Sequence, residues 1–460
     1  MRVLLVATYE LGHQPVNLAE PAARLRARGH DVRALDVSLD PWDPSLVEWA
    51  DKVAFSVPMH TATRMVRELA AHVEKPVCCY GLYAGMCDGI ADYVIAGEYE
   101  DALVEWIEHD TRGPAVHLGR AGRATRAGAL GRTEVSASSR TDIAVPDRSV
   151  LPELNRYVQL VEGGETRLVG YVEASRGCAH RCRHCPVPVV YDGRVRVADE
   201  ATVLADIEQL VTAGASHITF GDPDFLNAPA HSVRVVRALH ERFPQLTFDC
   251  TVKVEHVIEH RDLWAGFAEA GCIFVVSAFE SLSEGILERL DKGHTAADAA
   301  TAVALLRSHG VDVRPSFLPF TPWTTRADIV ELLDFVYEHD LVGSVDPVQY
   351  SIRLLLPRGS LLLDHADVAL VLGAWDDDRL TYEWNAIDPA VDALHTEIAA
   401  IVEASTAAGE DPVLTYAKVR STAGAAPVDL STITVGRPRL SESWFCCAEP
   451  TGAQVVRLRS

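Results

Sequence analysis

The sequence predicts an α/β chain made of an N-terminal parallel-sheet domain, a partial parallel barrel of six strand–helix units and a C-terminal extension. Two observations lead to that class. Short apolar runs bounded by turn residues alternate with stretches of helical period through residues 1–110, and again through 165–354. Such alternation gives parallel sheets with helices on their faces. Between the two blocks, residues 111–140 are rich in Gly, Ala, Arg, Ser and Thr and lack an apolar period. The chain therefore divides into 1–110, a linker over 111–150, a barrel over 151–360 and an extension over 361–460.

In the first block Arg2–Ala7 reads as a strand, Leu18–Arg28 as a helix stopped by Gly29, and Asp31–Leu35 as the next strand. Lys52–Val57 and Pro76–Cys79 read as short buried strands around the helix Thr61–Val73, and Tyr93–Ala96 and Asp101–Ile107 close the block. Tyr157–Val161 and Arg167–Ala174 flank Glu162-Gly-Gly-Glu165, a hairpin signal, and the second arm runs into the first barrel strand, Tyr171–Ser175. Asp199 is the expected cap of a helix with Val203, Leu204, Ile207, Leu210 and Val211 on one face, ended by Gly214. Strands are expected at His217–Phe220, Leu246–Thr251, Cys272–Ser277, Val311–Phe317 and Val348–Leu354, with helices near 231–242, 261–270, 296–309 and 326–339. Six units make an open barrel rather than the full eight, and the loops at the carboxyl ends of such strands carry the chemistry. In the extension, Trp375–Arg379 reads as a solvated acidic turn and Val391–Ala407 as a helix.

A formal charge of −23 argues against a broad nucleic-acid-binding face. The apolar runs are all broken by charge well before about 18 residues, so no membrane partner is expected. Ten cysteines with no export signal point to a reducing compartment, the cytoplasm, and to metal or thiol chemistry. The arginines of the linker, Arg112 to Arg140 with Arg148 just beyond, read as a solvated connector or as a docking site for an acidic electron donor.

Three cysteines fall in one short run, Ser175-Arg-Gly-Cys-Ala-His-Arg-Cys-Arg-His-Cys-Pro186. Their C-x3-C-x2-C spacing is one thiolate short of a closed four-thiolate iron–sulfur site. Gly177 permits a tight entry to the loop and Pro186 closes it. A closed zinc site, with His180 or His184 as fourth ligand, is the alternative. The spacing resembles the signature of the radical S-adenosylmethionine (SAM) enzymes, and the likeness continues over about 165–360. It implies a [4Fe–4S] cluster on Cys178, Cys182 and Cys185, with one iron left for the amino and carboxylate groups of SAM. His184 then stands where that family commonly has an aromatic residue near adenine. Gly221, Asp222 and Pro223, in Ile218–Phe225, match the segment that receives the SAM amino group. Val275–Ser281 nominates Ser277 and Glu280 along SAM. Glu288–Gly293 resembles the family's following helix and Pro357–Ser360 its turn after strand six. Lys253, with Glu255, and Arg353 are expected to face the same mouth, as SAM or substrate contacts.

Residues 1–110 look like the cobalamin-binding-type domain found before the barrel in one group of radical SAM proteins, through Arg28–Val32, Tyr80–Gly85 and Asp92–Glu98. The Asp-x-His-x-x-Gly motif of some cobalamin proteins is absent, and Leu82, Tyr83 and Met86 are bulky where a cofactor pocket needs room, so cobalamin stays open. Cys78, Cys79 and Cys87 are the cysteines available for a second cluster there, but the vicinal pair Cys78-Cys79 reads as buried small hydrophobes in an apolar strand. Near the end, Trp444–Pro450 holds Cys446 and Cys447 before Ala-Glu-Pro. This resembles radical SAM proteins whose tails read Cys-Cys-Ala-Glu-Pro or carry selenocysteine at the second position. The likeness implies catalytic tail thiols, as a hydrogen-atom donor or as ligands for a thiophilic element such as trivalent arsenic or selenium. Taken together, the expectation is an enzyme cleaving SAM reductively to act on a small molecule, with flavodoxin or ferredoxin as reductant. The alternatives are a cobalamin-dependent methylase and a non-catalytic metal-binding regulator.

Overall fold

The computed structural model describes residues 1–109, the strand 115–118 and residues 143–442. Most of the arginine-rich linker and the Cys446-Cys447 tail lie outside the described residues. The first sheet comprises β1 (Arg2–Ala7), β2 (Asp31–Asp36), β3 (Lys52–Ser56), β4 (Val77–Gly81), β5 (Tyr93–Ala96) and β6 (Ala115–Leu118). Its order is β2-β1-β3-β4-β5-β6, with every neighbouring pair parallel. β6 lies in the stretch expected to be a linker. The helix Pro44–Trp49 is a second addition, started by Asp43, whose carboxylate accepts from the Ser45 amide at 2.9 Å. Lys52 is buried in β3 because its ammonium reaches the open carbonyls ending the helix Glu100–Glu108, bonding Ile107 at 3.3 Å and His109 at 2.9 Å. The cation is complementary to the negative end of that helix. Cys78 and Cys79 are buried in this unit's core, as expected, and Cys87 is buried with them.

β7 (Gln159–Glu162) and β8 (Glu165–Val172) form the expected hairpin, with Gly163 and Gly164 at φ +57° and +88°. β9 (Ser175–Gly177) and β10 (Val195–Val197) make a short antiparallel pair flanking the cysteine loop. β11 (His217–Phe220), β12 (Thr247–Thr251), β13 (Cys272–Glu280) and β14 (Asp312–Phe317) complete the parallel wall. In the extension, β15 (Leu372–Asp376) and β16 (Thr381–Trp384) form a hairpin across the acidic turn. β17 (Arg439–Leu440) returns to pair with β7. The resulting nearly closed, barrel-like sheet runs β14-β13-β12-β11-β8-β7-β17.

The sixth parallel strand expected at Val348–Leu354 is reduced to one parallel bridge, Phe320–Arg353. Pro347–Ser351 is a 3₁₀ turn instead, since Pro347 removes a ladder donor where that strand would begin. Asp199 holds the N-cap position of the helix Glu200–Thr212, but its side chain makes no capping bond. Among the described residues no helix is long and apolar enough to cross a membrane.

Inside the barrel, polar side chains are buried with partners. His217 bonds Thr247 Oγ1 and Asp249 Oδ2, each at 2.8 Å, and Thr219 donates to the same carboxylate at 2.6 Å. Such satisfaction is the condition for burying them. Apolar packing lies on the other face, where Phe220 stacks on Phe225 at 4.6 Å and crosses Phe248 at 5.6 Å.

The two units join through the carboxyl ends of the first sheet. His13, after β1, packs on Tyr171 of β8 with ring centroids 4.6 Å apart. Arg148, expected in the loose connector, is buried and pairs with Asp206 through two bonds of 2.9 and 2.7 Å, while also donating to Tyr171 O. Arg176, two residues before Cys178, bonds Glu173 at 2.7 Å and Glu100 of the N-terminal unit, and Arg196 reaches Glu100 at 3.4 Å. Burial alone would push the Glu100 carboxyl up, but Arg176 and Arg196 hold it below its ordinary value. Replacing Glu100 by Gln leaves two guanidinium groups short of a buried carboxylate. It should cost about 3 kcal/mol in urea unfolding; a cost below about 0.5 kcal/mol would show that this seam is held by other contacts.

Candidate active site

The cysteine loop leaves β9 through Gly177, at φ +82°. A Cβ there would lie 2.2 Å from Arg194 O, so the hairpin strand β10 can pass over the loop entry only if this residue is glycine. Asn227, just past the Ile218–Phe225 segment, accepts from the Ala179 amide at 3.0 Å and lies 3.8 Å from the Cys178 sulfur. Between the next two cysteines the Arg183 amide donates to Leu290 O at 2.9 Å, and its guanidinium to Glu288 O and Arg289 O at 3.1 and 2.9 Å. Arg183 O in turn accepts from the Leu362 amide at 3.2 Å. The Glu288–Gly293 and Pro357–Ser360 segments singled out in the sequence therefore clamp this loop, with Ser360 Oγ 3.4 Å from Arg183 O.

Among the described residues, the His, Cys, Asp and Glu sets whose ligand atoms fall within 4.8 Å of one another are His180–Asp224–His256 and His256–Glu259–His260. The three loop thiols do not together form such a set. Neither histidine completes a zinc site with them. His184 Nε2 is 3.1 Å from Glu280 Oε1, and His180 is turned to His256 and Lys253.

Glu280 ends β13 at φ +62°, an unusual conformation for a side chain of this size. Burial would raise its carboxyl, but the Lys292 ammonium at 3.2 Å and His184 hold it at about 2. Lys292 is itself buried, and the thiols of Cys182 and Cys185 add to Glu280 in favouring its charge. The sequence reading quoted its segment but did not nominate Lys292, Asn227, Arg183, His256 or Asp224. A buried lysine is legible only once its partners are in place.

Gly221 lies under Tyr171, whose ring atoms would be about 2.0 Å from any added Cβ. Asp222 is buried; it accepts from the Ala174 amide at 3.0 Å and from Ser175 Oγ, and burial raises it to about 7. Pro223 is exposed beside it. Ser277 Oγ and His184 Nδ1 are buried without hydrogen-bond partners, groups that a bound polar molecule would satisfy. His184 also lines a cavity of about 10 Å³ with Leu318, Leu354, Leu355, Pro357 and Tyr83 of the N-terminal unit. Lys253 stands beside the loop, 3.2 Å from His180 Nδ1 and 2.9 Å from Glu255. Arg353 does not join this set, contrary to expectation. It donates to Asp392 at 2.8 Å and Trp384 O at 2.6 Å and lies 3.6 Å over the Trp384 ring, because the lost sixth strand leaves it facing the extension. Cys446 and Cys447 lie outside the described residues.

Residues 172–336 match the Radical SAM superfamily. The chain is 25% identical over 230 residues to an uncharacterized methyltransferase of Pyrococcus horikoshii, covering 49% of this chain and 47% of the relative. It spans about half the length of the first curated relatives it matches. Its fold is similar to the cobalamin-dependent S-adenosylmethionine radical enzyme OxsB, solved with aqua-cobalamin, at a TM-score of 0.67 and 15% identity over 88% of this chain and 67% of that one. It is also similar to the radical S-adenosylmethionine methyltransferase TsrM of Kitasatospora setae, at 0.60 and 21% over 81% and 77%. Residues 172–336 thus form a radical SAM domain, the kind of domain that works with a [4Fe–4S] cluster and S-adenosylmethionine.

Proposed function

We propose that this chain is an enzyme that cleaves SAM reductively and uses the resulting radical on a small molecule. The observation that carries the reading is the clamped loop of three thiols beside partnerless buried polar groups. When bound and reduced by one electron from a flavodoxin or ferredoxin, the cluster supplies the electron that splits a carbon–sulfur bond of SAM.

The chain's own part is to hold and orient. Cys178, Cys182 and Cys185 take three irons. Asp222, with lone pairs beyond the two bonds it accepts, receives the SAM ammonium beside Gly221 and Pro223. Ser277 Oγ and the Glu280–His184 pair border the adenosine, and Ser277 Oγ and His184 Nδ1 have no other hydrogen-bond partner. Tyr83 closes the mouth from the N-terminal unit. Water exclusion there protects a radical from side reactions. In the tail, Cys446 and Cys447 serve the substrate radical, as hydrogen-atom donor or as soft ligands for a thiophilic element.

A second reading, cobalamin-dependent methyl transfer, is supported by the likeness to OxsB and TsrM extending over both units. The segments after β1, β4 and β5 meet the barrel unit, His13 on Tyr171, Tyr83 beside His184 and Glu100 on Arg176, and residues of these segments would hold a corrin. The group would supply a methyl carrier.

Anaerobically reconstituted protein should bind four irons per chain and release 5′-deoxyadenosine or a methylated product from SAM and dithionite. Cys182→Ala should abolish both iron retention and turnover; release unchanged in that variant would end the reading. Hydroxocobalamin retained through desalting would favour methyl transfer. With the substrate present, Cys447→Ser should keep iron and uncoupled SAM cleavage but lose product; full product formation would remove the tail from the reaction.

Asp222 also fixes a pH dependence. Its carboxyl is neutral below about 7, and the SAM ammonium needs the carboxylate. Affinity should therefore weaken up to about tenfold per unit as pH falls below that value. Asp222→Asn should bind weakly at every pH; a pH-independent wild-type affinity would exclude this contact.

A further inference from the structure

His180, His256 and Asp224 converge from three separate elements beside the cysteine loop. His180 lies within the loop, Asp224 follows β11, and His256 is on the short helix after β12. His180 Nε2 is 3.2 Å from His256 Nε2 and 3.7 Å from Asp224 Oδ2. His256 Nδ1 is 2.8 Å from the same carboxylate oxygen, yet it approaches at an angle that forms no ring N–H bond. Asp224 is buried and the two rings are mostly so.

Two imidazole nitrogens facing each other at this distance share either a proton or a metal ion, because two bare lone pairs would repel. A tetrahedral centre with metal–nitrogen bonds of about 2.0–2.1 Å sets its ligand nitrogens about 3.3 Å apart, close to the separation found. The Asp224 carboxylate oxygen, 3.7 Å from His180 Nε2, is the third donor of the group. We propose that His180 Nε2, His256 Nε2 and the Asp224 carboxylate form a zinc(II) site separate from the three cysteines, with a fourth position open.

The nearest cation is compatible with that ion. Lys253 Nζ lies on the opposite, Nδ1, side of His180, and it has its own partner in Glu255 Oε2 at 2.9 Å. With zinc on Nε2, the Nδ1–H of His180 turns to Glu255 Oε2, now 3.9 Å away, and Lys253 keeps only the carboxylate. The ion would tie the stretch between Cys178 and Cys182 to β11 and β12 from outside the cluster. Borderline nitrogen and oxygen donors suit zinc.

The test uses full-length protein reconstituted with iron and sulfide, incubated with zinc(II) and desalted anaerobically. One equivalent of zinc should remain on top of the full iron content, and zinc-edge X-ray absorption should show nitrogen and oxygen neighbours near 2.0–2.1 Å with no sulfur shell at about 2.3 Å. His256→Ala and His256→Gln should both drop zinc to background while iron and the brown absorbance stay. No retained zinc in the wild type, a sulfur shell, or zinc unaffected by either variant would overturn the proposal. The Lys253–His180–His256 chain would then be a hydrogen-bonded relay alone. Since iron is counted in the same sample, failure of the cluster and failure of the zinc site are read separately.

Discussion

Arg176 is the constraint on which the rest of the structure depends. It stands in the strand that delivers the cysteine loop, and its guanidinium is taken out of water between Glu173, just ahead of that strand, and Glu100 of the N-terminal unit. Such a group persists only when its charge is matched on all sides. The same contact therefore fixes the loop's entry and seats the first sheet's carboxyl edge over the barrel mouth. Gly177 then turns the chain, and Asn227 and Arg183 take over the holding of the loop on either side.

Charge compensation recurs around the loop. A chain with a net charge of −23 places the buried Lys292 ammonium between Glu280 and the thiols of Cys182 and Cys185. Thiolates carrying a reduced cluster add negative charge in a poorly hydrated place, and a fixed cation nearby lowers that cost. The deep depression of Glu280 and the charge of Lys292 are two sides of one pairing. It holds the end of β13 in its left-handed turn.

Much of the architecture was legible because it rests on local signals. Arg2–Ala7, Tyr93–Ala96 and His217–Phe220 have the strand limits their apolar runs indicate, and the paired glycines mark the β7–β8 hairpin. The cysteine loop announced itself through spacing alone. What stayed hidden depends on partners far apart in the chain. Arg183 clamps residues more than a hundred positions away, and Lys292 is explained only by Glu280 and the thiols. Arg353 was misplaced because its expected strand dissolves after Pro347, turning the guanidinium onto Trp384. β6 was missed because its four residues sit in a composition that resembles a linker.

The central claim is an iron cube held at three corners with its fourth iron open to SAM. Electron paramagnetic resonance of the dithionite-reduced, reconstituted protein tests it most directly. The account predicts the spin-half signal of a reduced [4Fe–4S] cluster whose g-values move when SAM is added. No iron–sulfur signal, or a signal indifferent to saturating SAM, would contradict it.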